Sequence, residues 1–413
     1  MANPWDRAAQ GPAVGPTVAS LAIAVLLMGT AVPREEQPKG SPRGREGGSC
    51  EGKDGCPARS EKVRRIRVLQ DGARPRFSPG GDRVVYDAKG ADGFYDVYLA
   101  DAFGEKLRGL TDGRKGIGQR NNGNAVFSPD GEYVVFISEE ERHLGDQFPW
   151  MADPGVGLFS NIWATNLSGT RFWKLTHIPI KIRLVDKTPA IGTVNPHFSP
   201  DGRRLYWTER YAAGGHHNWG RWRIKSARFV VGRGGPRLEG ETVVFEPSRG
   251  NYVTSMGFLD RDHLLVAGNL DGQHEFAMDQ YVLDLRTGTA RPIQTTPFWE
   301  EGACIGPRGE QFVFMSNETS RYPLNFEDAN WAAQPTEREY WLIDRSGRNK
   351  ERLTYFNDSS APEYLGTRVI VAACSISGDG AYLAGTLGVD HGNERKAQLE
   401  LKLVMIEFKS PLR

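Results

Sequence analysis

The sequence predicts an all-β fold, a six-bladed β-propeller of four-stranded antiparallel blades, and three observations carry that prediction. A Phe-Ser-Pro-x-Gly-like opening followed by a β-rich run recurs six times, beginning at Phe77, Phe127, Phe198, Phe258, Ile305 and Ile376. A second turn follows in most units, with an aromatic or Val residue (Tyr98, Trp163, Val282, Trp341) six positions before a glycine (Gly104, Gly169, Gly288, Gly347). The chain also carries 49 Gly and 25 Pro, a richness that suits many short strands joined by turns.

Each opening reads as a hairpin. Proline fixes φ in the turn, glycine supplies a positive φ, and β-branched or aromatic residues flank both. The three clearest copies run from Phe77 into RVVYDA, from Phe127 into YVVFIS and from Phe198 into RLYWTE, and HLLVAG, EQFVFMS and AYLAGT follow the weaker ones. Leu-Thr begins a fourth strand at Leu110, Leu175 and Leu353. One unit thus supplies four antiparallel strands, and radial repetition of such units is a propeller. The third unit departs from the pattern, because WRIKSARFVV, GRGG and PRLEGETVVF replace its usual second turn. A ring must pair its first and last blades or expose an edge. KVRRIRVL at 62–69 is therefore expected to pair with LELKLVMIEF at 399–408.

Residues 62–408 form the expected propeller, and 409–413 a short tail. Before it, residues 17–32 are the only long apolar run, too short for an ordinary membrane span and suited to the apolar core of an export signal. Residues 1–32 are read as a signal peptide or anchor, and the Pro-, Gly- and charge-rich 33–61 as a flexible linker in which Cys50 and Cys56 can close a small loop. The expected location is periplasmic or secreted, with membrane contact only if the leader stays attached. Cys304 and Cys374 sit near equivalent positions in the last two blades with registers one residue apart. That offset predicts side chains on opposite sheet faces, hence buried free thiols.

Lys and Arg number 52 against 51 Asp and Glu, so no basic surplus points to nucleic acid. The chain holds no Gly-x-Ser-x-Gly elbow, no P-loop and no second His for a zincin helix after His274-Glu275. No catalytic residue, metal or cofactor is assigned. The candidate binding face is the rim with the long loops, which hold Trp150, His216, His217, Trp219 and Trp331. Positions just before each first strand are expected at the channel mouth: Arg74, Arg76, Asn122, Asn124, Asn195, His197, Thr254, Ser255, Glu300 and Glu301. Two basic groups, amides, an imidazole and a carboxylate pair suit a polar or charged ligand. Adjacent residues of an extended chain diverge, so only one of Glu300 and Glu301 is expected to face the channel, and only one of His216 and His217 to join His197.

These repeats resemble those of the TolB-like six-bladed propellers. Trp299-Glu-Glu-Gly-Ala, FVFMSN, Tyr340-Trp-Leu-Ile-Asp and Arg352-Leu-Thr-Tyr-Phe-Asn look like a little-characterised exported branch of that group. The resemblance implies fold and export rather than activity. TolB itself carries an α/β domain before its propeller, so its role in the Tol–Pal system is not carried over. Related propellers also front hydrolases or act as metal-assisted polysaccharide lyases. The leading expectation is non-catalytic recognition of an envelope or extracellular protein, peptide or glycan. The alternative is a polysaccharide- or peptide-processing lyase or hydrolase at the channel mouth, with His197 and Glu300 or Glu301 as acid and base.

Overall fold

The computed structural model describes residues 50–51, 54–105, 107–143, 149–180, 190–214, 220–274, 276–326, 334–392 and 398–413. The export-signal reading of 1–32 lies outside them. Among the described residues no helix is long and apolar enough to cross a membrane.

The chain enters through β1 (Val63–Asp71) and then builds six blades in order. Blade one holds β2 (Ala73–Phe77), β3 (Arg83–Lys89), β4 (Tyr95–Asp101) and β5 (Arg108–Gly109). Blade two holds β6 (Asn122–Phe127), β7 (Tyr133–Glu139), β8 (Ser160–Asn166) and β9 (Phe172–Lys174). Blade three holds β10 (Gly192–Phe198), β11 (Arg204–Ala212), β12 (Arg221–Gly232) and β13 (Gly235–Phe245). Blade four holds β14 (Val253–Phe258), β15 (His263–Gly268), β16 (Asp279–Asp284) and β17 (Thr289–Pro292). Blade five holds β18 (Glu300–Ile305), β19 (Gln311–Ser316), β20 (Glu339–Asp344) and β21 (Glu351–Arg352). Blade six is completed by β22 (Arg368–Ile376), β23 (Tyr382–Asp390), β24 (Leu399–Phe408) and β1, in the order β1-β24-β23-β22. The irregular second half of unit three is a long hairpin of β12 and β13.

The repeated turn works as its residues require. Ser78 N–H donates to the Arg83 carbonyl at 2.8 Å, Ser78 Oγ–H to Asp82 at 2.8 Å, and Gly81 takes φ +73°. Apolar seams between neighbouring blades form the core, such as Val85, Leu110, Phe127 and Phe136 between blades one and two.

β1 closes the ring against β24 in antiparallel register, with Ile66 opposite Ile406 and Val68 opposite Val404, as the terminal segments predict. Residues 50–51 and 54–61, within the stretch read as linker, pack on the outer edge of β1. Cys50 and Cys56 form a disulfide, Cys56 and Ile66 exchange two backbone hydrogen bonds of 2.8 Å, and Val68 N–H reaches the Cys50 carbonyl at 2.9 Å. An otherwise open edge strand is thereby covered.

All six inner strands (β2, β6, β10, β14, β18 and β22) carry a register shift midway along their pairing with the second strand. Each is a bulge, which adds a residue and reverses the alternation of side chains beyond it. The expectation for Cys304 and Cys374 is corrected in its outcome. Both directly follow their strand's bulge, so the one-residue offset stands and they point from opposite faces of their sheets. These are the faces that blades five and six turn toward each other, and a disulfide joins them in place of free thiols.

Ile66 is fully buried in the closing strand. Ile66→Ala is expected to cost about 2–5 kcal/mol in chemical denaturation. Deletion of residues 62–69 should lower the melting temperature far more, and an unchanged melt would show that β1 is not the closure.

Candidate functional site

The predicted channel residues lie within the inner strands rather than before them, at or near the bulges. Arg74, Asn124 and Asn195 occupy the bulges with φ of 52°, 50° and 52°, a conformation asparagine tolerates better than arginine. Three backbone N–H groups at or beside these bulges find acceptors on the preceding blade. Arg74 N–H donates to Thr386 Oγ1 at 2.8 Å, Asn124 N–H to Asp87 at 3.4 Å and Ser255 N–H to Thr208 Oγ1 at 3.0 Å. Amide side chains continue the belt, from Asn124 Nδ2 to Asn195 Oδ1 at 3.0 Å and from Asn195 Nδ2 to Thr254 Oγ1 at 2.8 Å. Asn122 turns away and donates to the Gly118 and Arg120 carbonyls.

Arg74 is buried against Asp87 at 2.8 Å and lies 5.0 Å from the Tyr95 ring centroid. Asp153 lies near this pair, and its burial pushes the carboxyl up to about 7 against the opposing pull of Lys89 and Arg74. Asp153 belongs to the segment 149–159, which opens with the short helix Pro149–Ala152 and puts Trp150, Val156, Leu158 and Phe159 into the main core. Trp150, expected to offer contact area on a loop, is therefore only 5% exposed. His216, His217, Trp219 and Trp331 lie outside the described residues.

His197 is fixed by both ring nitrogens, with Nδ1 3.2 Å from the Asn195 carbonyl and Nε2 3.1 Å from Ser255 Oγ. Burial holds the ring down to about 4, so it is neutral, donating from Nδ1 and accepting at Nε2. Glu300 and Glu301 diverge as their adjacency requires. Glu300 is fully buried with Lys350 at 3.2 Å and Gln294 at 2.9 Å, and desolvation pushes it up to about 7. Glu301 turns to the channel, where its Oε2 accepts from Trp299 Nε1 at 3.2 Å.

Glu301 lines a cavity of about 110 Å³ to which all six blades contribute. Arg76, Val156, Trp222, Tyr252, Trp299 and Arg338 are among its walls, with the small residues Gly302, Ala303, Ala372 and Ala373 leaving the space. Arg76 and Asn195 are the other expected channel residues present there, and His197 is not. Arg338 is the main residue the sequence reading missed. It precedes β20 at the end of a long loop and carries no repeat signature; the only cue is a charged pair, Arg338-Glu339, abutting the apolar Tyr340-Trp341. Among the described residues no group of three or more His, Cys, Asp or Glu side chains is placed to hold a metal ion.

No protein-family model and no curated protein matches the chain. Among solved structures it is similar to TolB from Acinetobacter baumannii, with 13% identity over 81% of this chain and 65% of that one and a TM-score of 0.47. It is also similar to an oligogalacturonate lyase in complex with manganese, at 11% identity over 83% and 90% of the two chains and a TM-score of 0.46. A puromycin-hydrolysing peptidase from Mycobacterium tuberculosis gives 13% identity over 84% of this chain and 53% of that one, with a TM-score of 0.46. The chain thus spans under two thirds of the TolB and about half of the peptidase. These likenesses are of fold alone, and TolB is among them, as the repeats suggest.

The depressed His197 makes a signed prediction. The unfolded imidazole takes a proton below about 6.5 and the folded one only below about 4. Stability from this site is complete above the first value and is lost as pH falls toward the second. The melting temperature of the wild type relative to His197→Gln should therefore decline between pH 7 and 4. A constant difference across that range would contradict the neutral, doubly bonded ring.

Proposed function

We propose that this chain is an exported, non-catalytic recognition module whose binding site is the channel cavity, reached from the loop-bearing face. Its partner is an envelope or extracellular protein, peptide or glycan that inserts a small group. The observation that carries this reading is one enclosed space receiving side chains from all six blades, with aromatic rings and charged groups together. Two disulfides favour an oxidising compartment, which fits export. Trp219 and Trp331 keep, from the sequence reading alone, the role of adding contact area for a macromolecular partner.

A lyase or hydrolase at the same place has less support. Both nitrogens of His197 are engaged, and Glu300 is tied to Lys350 and Gln294 away from the cavity. An acid–base pair needs a group within reach of the reacting atoms.

Trp222 and Trp299 line the cavity, so their emission reports on its contents. Titration of the protein with short peptides and with acidic and neutral oligosaccharides is expected to shift that emission for at least one class. Met278→Trp or Met256→Phe, which fill the space, should weaken that ligand about tenfold or more, equivalent to about 1.4 kcal/mol. Trp219→Ala and Trp331→Ala should weaken capture of a macromolecular partner. Equal binding by folded, cavity-filled variants would place recognition elsewhere on the surface.

A further inference from the structure

Arg338 is 3% exposed and lines the channel cavity. Its backbone is docked on blade six: its N–H donates to the Val369 carbonyl at 3.2 Å, and its carbonyl accepts from Val371 N–H at 3.3 Å. The guanidinium carbon lies 3.7 Å from the Trp299 ring centroid. Nη1 donates to Met315 Sδ at 3.4 Å, a weak acceptor. Nε and Nη2 are buried and have no hydrogen-bond partner among the described residues.

These two nitrogens define one edge of the guanidinium, and their parallel N–H bonds match the two oxygens of a carboxylate. Three other enclosed arginines of this fold meet such a group internally. Arg74 has Asp87, Arg352 has Glu339 at 2.9 Å, and Arg368 has Asp390. The carboxylate nearest Arg338 in effect is Glu301, which favours the charged guanidinium through space yet is hydrogen-bonded to Trp299. Arg76 brings a second guanidinium to the same cavity, with Nη1 donating to the Cys374 carbonyl. Two cations thus face one carboxylate in an enclosed space. Burial holds Arg338 down to about 9, the signature of a charge whose lost hydration has not been replaced.

We propose that the channel cavity is a carboxylate site, in which Arg338 grips a planar carboxylate through Nε–H and Nη2–H and Arg76 supplies a second positive charge. The substituent on that carboxylate is apolar, an aromatic or branched group received by Trp299, Tyr252, Met256 and Met278. The inference rests on the channel being the binding site and adds the chemical class of the group that enters.

Calorimetric titration of the whole protein with matched pairs tests it. Phenylacetate and phenylacetamide share a shape and differ in charge, and N-acetylphenylalanine and its amide do the same for a chain terminus. At least one acid is expected to bind about tenfold or more tighter than its amide. Binding by phenylacetate alone marks a free small carboxylate, and binding by both acids admits a chain terminus. Arg338→Met should remove the preference, and Arg338→Lys should restore only part of it, because an ammonium lacks the fork. Glu301→Gln, which removes the resident negative charge, should strengthen the acids and serves as the readout if Arg338→Met fails to fold. Equal affinity for acid and amide overturns the carboxylate site while leaving the channel a binding site. A preference for the acid that survives in folded Arg338→Met moves recognition to another group and also overturns it. If neither member of either pair binds, the carboxylate site fails; the broader recognition reading fails only if the tryptophan emission also stays unmoved by every peptide and glycan.

Discussion

The bulge on each inner strand is the constraint on which the rest of the ring depends. Six strands converge on one axis, and the extra residue in each bends the strand and frees a backbone N–H from the ladder. A freed N–H inside the fold must find an acceptor. Thr386, Asp87 and Thr208 provide it for Arg74, Asn124 and Ser255, each reaching from the second strand of the preceding blade. One contact thus satisfies the backbone and sets the angle between neighbouring blades. The matching positions in blades two, four and five are Ile137, Ala267 and Met315, three residues beyond the partners of Phe127, Phe258 and Ile305. The polar belt is interrupted there, and beside Met315, Gly302 and Ala372 the cavity opens.

Charge is distributed unevenly around the axis as a result. Toward blades one and two, Arg74 is neutralised by Asp87, and Asn124 is committed to the Pro154 carbonyl and Asn195. Toward blades five and six, Arg338 faces sulfur and an indole ring and keeps two donors unused. A buried guanidinium without a hydrogen-bonded counter-charge is costly. The ring tolerates it because the cysteine pair Cys304–Cys374, the Arg338–Val369 contact and the covered β1 edge hold the last two blades together. The unsatisfied guanidinium therefore sits where a disulfide joins the two blades around it.

The ring itself is legible in the sequence because its determinants are local. Ser-Pro-x-Gly needs only its own residues to form a turn, and the closing strand is betrayed by apolar Val63, Ile66 and Val68. What failed to show was how neighbouring blades meet. Counting residues places Cys304 and Cys374 on opposite faces of their sheets, and these are the faces that blades five and six turn toward each other, so the pair closes in a disulfide. The channel polar groups sit inside the inner strands because those strands go on pairing past their bulges. Trp150 looked exposed because the long segment around it reads as a loop; Val156, Leu158 and Phe159 fold it inward. Arg338 is visible only through its neighbours in space, since an arginine beside a glutamate has no period and no turn to announce it.

The chemistry available to the cavity follows from which protons its walls can exchange. The carboxyls raised to about 7, Asp153 and Glu300, are not among its walls. Of the walls, Tyr252 is pushed well above the usual phenol range by burial, so it stays protonated and can donate but not accept a proton at neutral pH. Arg76 and Arg338 donate and never act as bases at that pH. Glu301 is raised by burial and capped by the Trp299 indole N–H. A wall of donors with one guarded carboxyl supplies hydrogen bonds and positive potential without a free base near the ligand. Such a surface is suited to holding an anion in place, and a proton-transfer step would have to be brought to it by the ligand itself.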